Sequence, residues 1–172
     1  MKQFLLGFVA CLIVLPLLAV FYIELGLAPV ATSAPPFPFE KKIAQTALQV
    51  RVAKEAPATS PVDASPENLL AGARLYGKYC AFCHGTKAGP TTPAAVGMYP
   101  PPPQLLQGKG VTDDPAGETY WKVANGIRLT GMPAYSKSMS ETEMWQVSQM
   151  LANAQHLPTG ADALIVGEPA AK

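Results

Sequence analysis

The chain has 172 residues, 49% of them hydrophobic, and a net charge of +1. From Pro66 onward acidic and basic residues balance, and no basic stripe carries interleaved aromatics, which argues against a nucleic-acid partner. Three cysteines, Cys11, Cys80 and Cys83, do not make a disulfide framework, which needs an even set at wider spacings.

Residues 1–26 read as a membrane anchor. The run from Phe4 to Ile23 carries no charge, and as a helix it covers about 30 Å, the thickness of a bilayer's hydrocarbon core. A secretory signal has a shorter apolar region. Pro16 is tolerated in a membrane helix. Lys2 on the short side orients the chain N-in, C-out. Two alternatives stand beside the anchor: a signal cleaved at Ala31-Thr32-Ser33-Ala34, and a lipidated Cys11. All three place the remainder on the periplasmic, extracytoplasmic side.

Residues 27–65 are rich in Pro and Ala and read as a linker, because prolines at this density block continuous helix. Between Phe39 and Ala56 there is no Pro. Phe39, Ile43, Ala47, Val50 and Lys54 recur at steps of three or four, as one face of a short helix would. Lys41, Lys42, Arg51 and Lys54 make this piece basic. An amphipathic helix on a membrane surface or a partner is one reading, and a solvated short helix or disordered linker is the other.

The globular part is expected over residues 66–158, with a flexible tail over 159–172. Ser65-Pro66-Glu67 has the form of a helix start, with an N-cap, Pro at the first position and an acid in the first turn. Leu69, Gly72, Ala73, Tyr76 and Cys80 then fall on one helical face, and the helix runs into Cys80-Ala81-Phe82-Cys83-His84. C-x-x-C-H reads as a c-type haem attachment site. Each thiol adds across one porphyrin vinyl group, the two-residue gap lets both sulfurs reach from one turn, and the following imidazole becomes the proximal iron ligand. A thioredoxin-like pair expects alternating strands and helices. A zinc site needs more ligands, and His156 is the one other Cys or His in this part.

A second axial ligand is expected from a Met. Met144 and Met150 fall in a C-terminal helix from Glu141 to Gln155, which makes them core. Met132, in Gly131-Met132-Pro133, is held in an extended loop, 48 residues past His84, far enough for the chain to wrap the haem edge. Met98 and His156 are the alternatives. Tyr99 and Pro100 to Pro103 read as a stiff surface loop or a polyproline stretch along a haem edge. Trp121 packs on the haem, hydrogen-bonds a propionate, or is ordinary core. Arg128 pairs with a propionate or is a solvated charge.

From about Glu67 to Leu157 the chain resembles the class I monohaem cytochromes c. The resemblance rests on Gly72-x-x-x-Tyr76-x-x-x-Cys80-x-x-Cys83-His84-Gly85, on Gly131-Met132-Pro133, and on a C-terminal helix with Trp145. The anchor and linker look like those of membrane-tethered members. The resemblance implies an all-α cytochrome c fold around one covalent haem c, with N- and C-terminal helices crossing near Gly72 and Trp145. It also implies a Pro carbonyl accepting the His84 Nδ1–H, for which Pro90 fits best and Pro93 second. A six-coordinate His84/Met132 iron carries one electron and does no bond chemistry, so no small-molecule substrate is expected. The expected partners are redox proteins: a quinol-oxidising complex and a terminal oxidase or reductase. A fixed haem subunit of a larger oxidoreductase complex is the alternative, and a haem-based ligand sensor a third.

Overall fold

The computed structural model describes residues 1–89, 91–107 and 114–166, and every regular element among them is helical. The chain divides into two compact units, Met1–Glu40 and Lys41–Lys172.

In the first unit, α1 spans Lys2–Glu24. It contains Pro16, and none of its residues is buried within the protein. It is one helix long and apolar enough to cross a membrane. The segment after it folds back locally, with the Tyr22 hydroxyl donating to the Leu27 carbonyl at 2.8 Å.

α2, Glu40–Glu55, starts on the last residue of the first unit and otherwise belongs to the second. The haem-motif helix α3, Pro66–Tyr79, starts at the expected place. Ser65 stands at its N-cap, but the Ser65 hydroxyl donates to the Asp63 carboxylate at 3.2 Å instead of capping the backbone. There follow α4, Ala81–His84; α5, Pro93–Val96; α6, Ala116–Asn125; α7, Glu141–Ala152; and α8, Ala161–Leu164.

The core forms where α3 crosses α7. Gly72 makes the crossing close: a Cβ there would strike the Gln146 carbonyl oxygen and stand 2.8 Å from the Met150 Cβ. Tyr76, Val147 and Met150 fill the space around it, each at most 1% exposed. α6 leans on α7 through Tyr120, whose ring stacks on Trp145 with centroids 4.2 Å apart. α7 begins in a capping box: Ser140 Oγ accepts from the Glu143 N–H, and the Glu143 carboxylate accepts from the Ser140 N–H at 2.7 Å. Two orphan donors of the first turn are satisfied in this way.

Two expectations change and a third is extended. The tail expected over 159–172 is packed at its start, since Ala161 and Ile165 belong to the core against α3; residues 167–172 lie outside the described residues. The linker expected over 27–65 divides, with residues from Lys41 on belonging to the second unit. The helix expected over residues 39–54 forms as α2, with its apolar face outward, as either a surface-bound or a solvated helix would have it, and with a second, buried face at Val52. Ile43 and Val50 are 67% and 63% exposed, and the buried residue is Val52, at 2%.

Candidate haem-binding site

Cys80 ends α3 and starts α4 with φ −116° and ψ −37°, so the chain bends at the first cysteine without leaving helical hydrogen bonding. The Cys80 carbonyl accepts from the N–H of His84 at 2.9 Å and of Cys83 at 3.1 Å. Both thiols and the imidazole therefore stand on a single turn. Gly85, with φ +71°, turns the chain away, and a Cβ there would collide with the Gln104 side-chain oxygen. The Tyr76 hydroxyl fixes this exit by donating to the Gly85 carbonyl at 2.8 Å.

A distant strap closes over the turn. His84 Nδ1 lies 2.8 Å from the Pro103 carbonyl oxygen. A carbonyl only accepts, so Nδ1 carries the proton and Nε2 keeps its lone pair for a metal. The Leu105 N–H donates to the His84 carbonyl at 3.3 Å, and Gln104 Nε2 to the Cys83 carbonyl at 3.4 Å. Gln107 Nε2 reaches the Thr86 carbonyl at 2.6 Å and the Gly89 carbonyl at 2.9 Å. The orienting carbonyl is thus that of Pro103 and not of Pro93, which opens α5; Pro90 lies outside the described residues.

The electrostatics favour neutral donors. Burial pulls the His84 imidazole below its ordinary value, against the raising effect of the Pro103 bond, and so holds the ring neutral. Burial, and then the neighbouring Cys83 sulfur, pushes the Cys80 thiol up to about 12, and burial raises Cys83 as well. Reactive and zinc-binding cysteines need the opposite shift, toward thiolate. No cluster of three or more His, Cys, Asp or Glu able to hold a metal ion occurs among the described residues.

Of the methionines, Met139, Met144 and Met150 are buried in the core. Met132 is half-buried at its edge, in a loop pinned at both ends. Ile127 N–H donates to the Met132 carbonyl at 3.1 Å, and Met132 N–H to Thr130 Oγ1 at 3.1 Å. Gly126, with φ +65°, lets the loop fold onto the end of α6; a Cβ there would come within 2.6 Å of Ala134 N. Tyr135 carries the loop to the haem motif. Its N–H donates to the Val123 carbonyl and its hydroxyl to the Tyr79 carbonyl, both at 2.9 Å. Met98 is close by, since a Cβ on Gly131 would stand 2.9 Å from its sulfur. His156 is exposed at the end of α7, where its N–H donates to the Asn153 carbonyl at 2.8 Å.

The two further residues weighed as haem contacts have these surroundings. The Trp121 indole N–H donates to the Glu55 carboxylate of α2 at 3.1 Å. Arg128 is exposed, in the turn after Gly126. Gln107 and Tyr135 were given no role by sequence, and Pro103 was flagged only as part of the four-proline run and not as the partner of His84.

The donor set fits a covalent haem. Two neutral thiols share one turn with an imidazole whose Nε2 is free, and a loop thioether is at hand. The same elements also expose apolar side chains, Phe82 at 54%, Val96 at 71% and Leu129 at 92%, the kind of surface a porphyrin would cover.

Comparison with known proteins gives the same reading. Residues 67–149 match the family model described as cytochrome c oxidase, cbb3-type, subunit III. The chain is 32% identical over 89 residues to the quinohemoprotein alcohol dehydrogenase ADH IIB of Pseudomonas putida. That match takes in 51% of this chain and 11% of the relative's length. The all-helical core around the Cys80–His84 turn and these matches converge: residues 67–149 are a monohaem c-type cytochrome domain, built for haem-based electron transfer.

Proposed function

We propose that Cys80 and Cys83 hold one haem c by thioether bonds, that His84 and Met132 are its axial ligands, and that the domain passes single electrons at the outer face of the membrane crossed by α1. The observation that carries this reading is the His84–Pro103 bond, which fixes the imidazole tautomer with Nε2 as the ligand atom. Haem c supplies a one-electron couple, and an axial Met raises its potential. The chain's own residues hold the imidazole neutral, pin the Met loop through Gly126 and Tyr135, and keep both thiols in one turn. The partners are redox proteins of a respiratory chain, with a quinol-oxidising complex as donor and a terminal oxidase or reductase as acceptor.

The optical spectrum of wild type and Met132→Ala, matured with haem in an exporting host, tests the ligand set. Loss of the methionine–iron charge-transfer band in the variant supports Met132. Retention of the band assigns the ligand to Met98, whose sulfur lies against Gly131.

A second reading is favoured by the names of the matched proteins, an oxidase subunit and a dehydrogenase that carries its own haem. In that reading the chain is a fixed subunit of a larger oxidoreductase. Purification in mild detergent separates the two, because a carrier comes away alone and a subunit co-migrates with its complex.

A further inference from the structure

α2 has two faces. Val52 is 2% exposed, the Glu55 carboxylate takes the Trp121 N–H, and a Cβ on Gly117 would strike the Pro57 carbonyl just beyond the helix. These contacts tie α2 to the haem domain as a part of it and not as loose linker. At about 100° per residue, Val52 lies some 160–180° around the helix from Ile43 and Val50. Those two are 67% and 63% exposed. With Ala47 they form an outward apolar stripe that Lys54 continues one turn on, with Lys42 about 100° to its side.

The helix's acids are engaged elsewhere. Glu55 pairs with Arg51 at 2.7 Å and holds Trp121, and Glu40 accepts from the Phe37 N–H at 2.9 Å. No ion pair of Lys42 or Lys54 occurs among the described residues. Residues 25–39 alone separate α2 from the end of α1. That many residues span at most about 50 Å, so α2 never leaves the neighbourhood of the bilayer surface if α1 is embedded.

We infer that the outward stripe of α2 lies on anionic phospholipid headgroups, with Ile43, Ala47 and Val50 at the acyl boundary and Lys42 and Lys54 on lipid phosphates. The inference rests on the proposal that α1 anchors the chain. The charge matches the surface, because basic side chains are drawn to anionic leaflets. Two exposed aliphatic side chains and two lysines would hold a free protein only weakly. The tether removes that objection by keeping α2 at high effective concentration beside the lipid. Because α2 is tied to the domain through Val52 and Glu55, its docking fixes which way the haem domain faces over the membrane.

The test uses the full haem-loaded chain carrying Cys11→Ser, with a nitroxide at Ile43→Cys, Val50→Cys or the exposed control Ser136→Cys, in lipid nanodiscs. In discs with anionic lipid, collisions with a water-soluble nickel chelate fall several-fold at 43 and 50 relative to 136, and collisions with oxygen rise. Lys42→Glu with Lys54→Glu, or purely zwitterionic lipid, restores the nickel collisions. Labels at 43 and 50 that stay as water-accessible as 136 in anionic discs overturn the inference. Shielding seen in native membranes but not in protein-free anionic discs also overturns it, by assigning the face to a protein. Failure of the anchor reads separately, as elution of the chain apart from the discs. Failure of the haem reading shows as a changed optical spectrum in the same sample.

Discussion

The Tyr135 hydroxyl donates to the Tyr79 carbonyl at 2.9 Å across 56 residues, and Tyr79 is the residue before the first haem cysteine. One phenol therefore ties the end of the methionine loop to the start of the haem motif. Burial holds this hydroxyl protonated, its pKa pushed up to about 12, so the donor persists through neutral and mildly alkaline pH. Tyr135→Phe leaves the carbonyl short of a partner, at a cost of about 1–2 kcal/mol. The expected result is a lower melting temperature, with the methionine–iron band lost at lower temperature or milder alkali than in wild type.

Gly126→Ala should act on the ligand more than on the fold. The residue has φ +65°, and its Cβ would press on Ala134 N and Pro133 C, the backbone that carries Met132. With ψ −177° this is a backbone region essentially restricted to glycine, and holding another residue there costs about 1–3 kcal/mol. We expect covalent haem attachment to survive, with a weakened or absent methionine band at room temperature and measurable carbon monoxide binding by the reduced protein. An unchanged spectrum would show that the loop tolerates displacement.

Acid should weaken the start of α7. The Glu143 carboxyl is held below its ordinary value of 4.5, chiefly by the Ser140 backbone N–H and then by the Ser140 hydroxyl. A carboxylate depressed in the folded state stabilises the fold fully above its unfolded pKa, and that contribution fades as pH falls through the folded one. Glu143→Gln should therefore melt lower than wild type at pH 7, and the gap should close as the pH drops below about 4. A gap that is constant with pH would mean the box acts through geometry alone. Ser140→Ala, which removes the cap itself, should cost about 1 kcal/mol.

Trp121→Phe should leave the haem spectrum unchanged, because the indole N–H serves Glu55. It should loosen α2 instead. Trypsin cleavage after Arg51 and Lys54 should quicken, and amide exchange in α2 should rise relative to α7. A shifted haem band in this variant would return Trp121 to the haem.

Local signals in the sequence were reliable where one physical cause acts within one turn. The helix from Pro66 and the C-x-x-C-H turn are of that kind, since their spacing is written in neighbouring residues, whereas the crossing at Gly72 was expected from the family resemblance. What escaped was long-range. Pro103 reaches His84 across 19 residues, and nothing in the identity of a proline announces that its carbonyl will be used. Tyr135 and Gln107 act the same way. The apolar stripe of α2 was visible, but a weak stripe does not say which face a tertiary contact will take; Val52 was chosen because Trp121 and Glu55 meet on its side of the chain.

The Pro103 contact bears on speed. An electron arriving or leaving changes the charge at the ligand set by one unit, and every nearby dipole free to swing must readjust, which raises the barrier. The carbonyl facing His84 ends a run of four prolines, Pro100 to Pro103, each with its φ locked, and the two residues that follow, Gln104 and Leu105, bond back to the Cys83 and His84 carbonyls. If His84 ligates the haem iron as proposed, such a dipole is set before the electron moves and stays set afterwards, so this side of the site would add little nuclear rearrangement to each transfer.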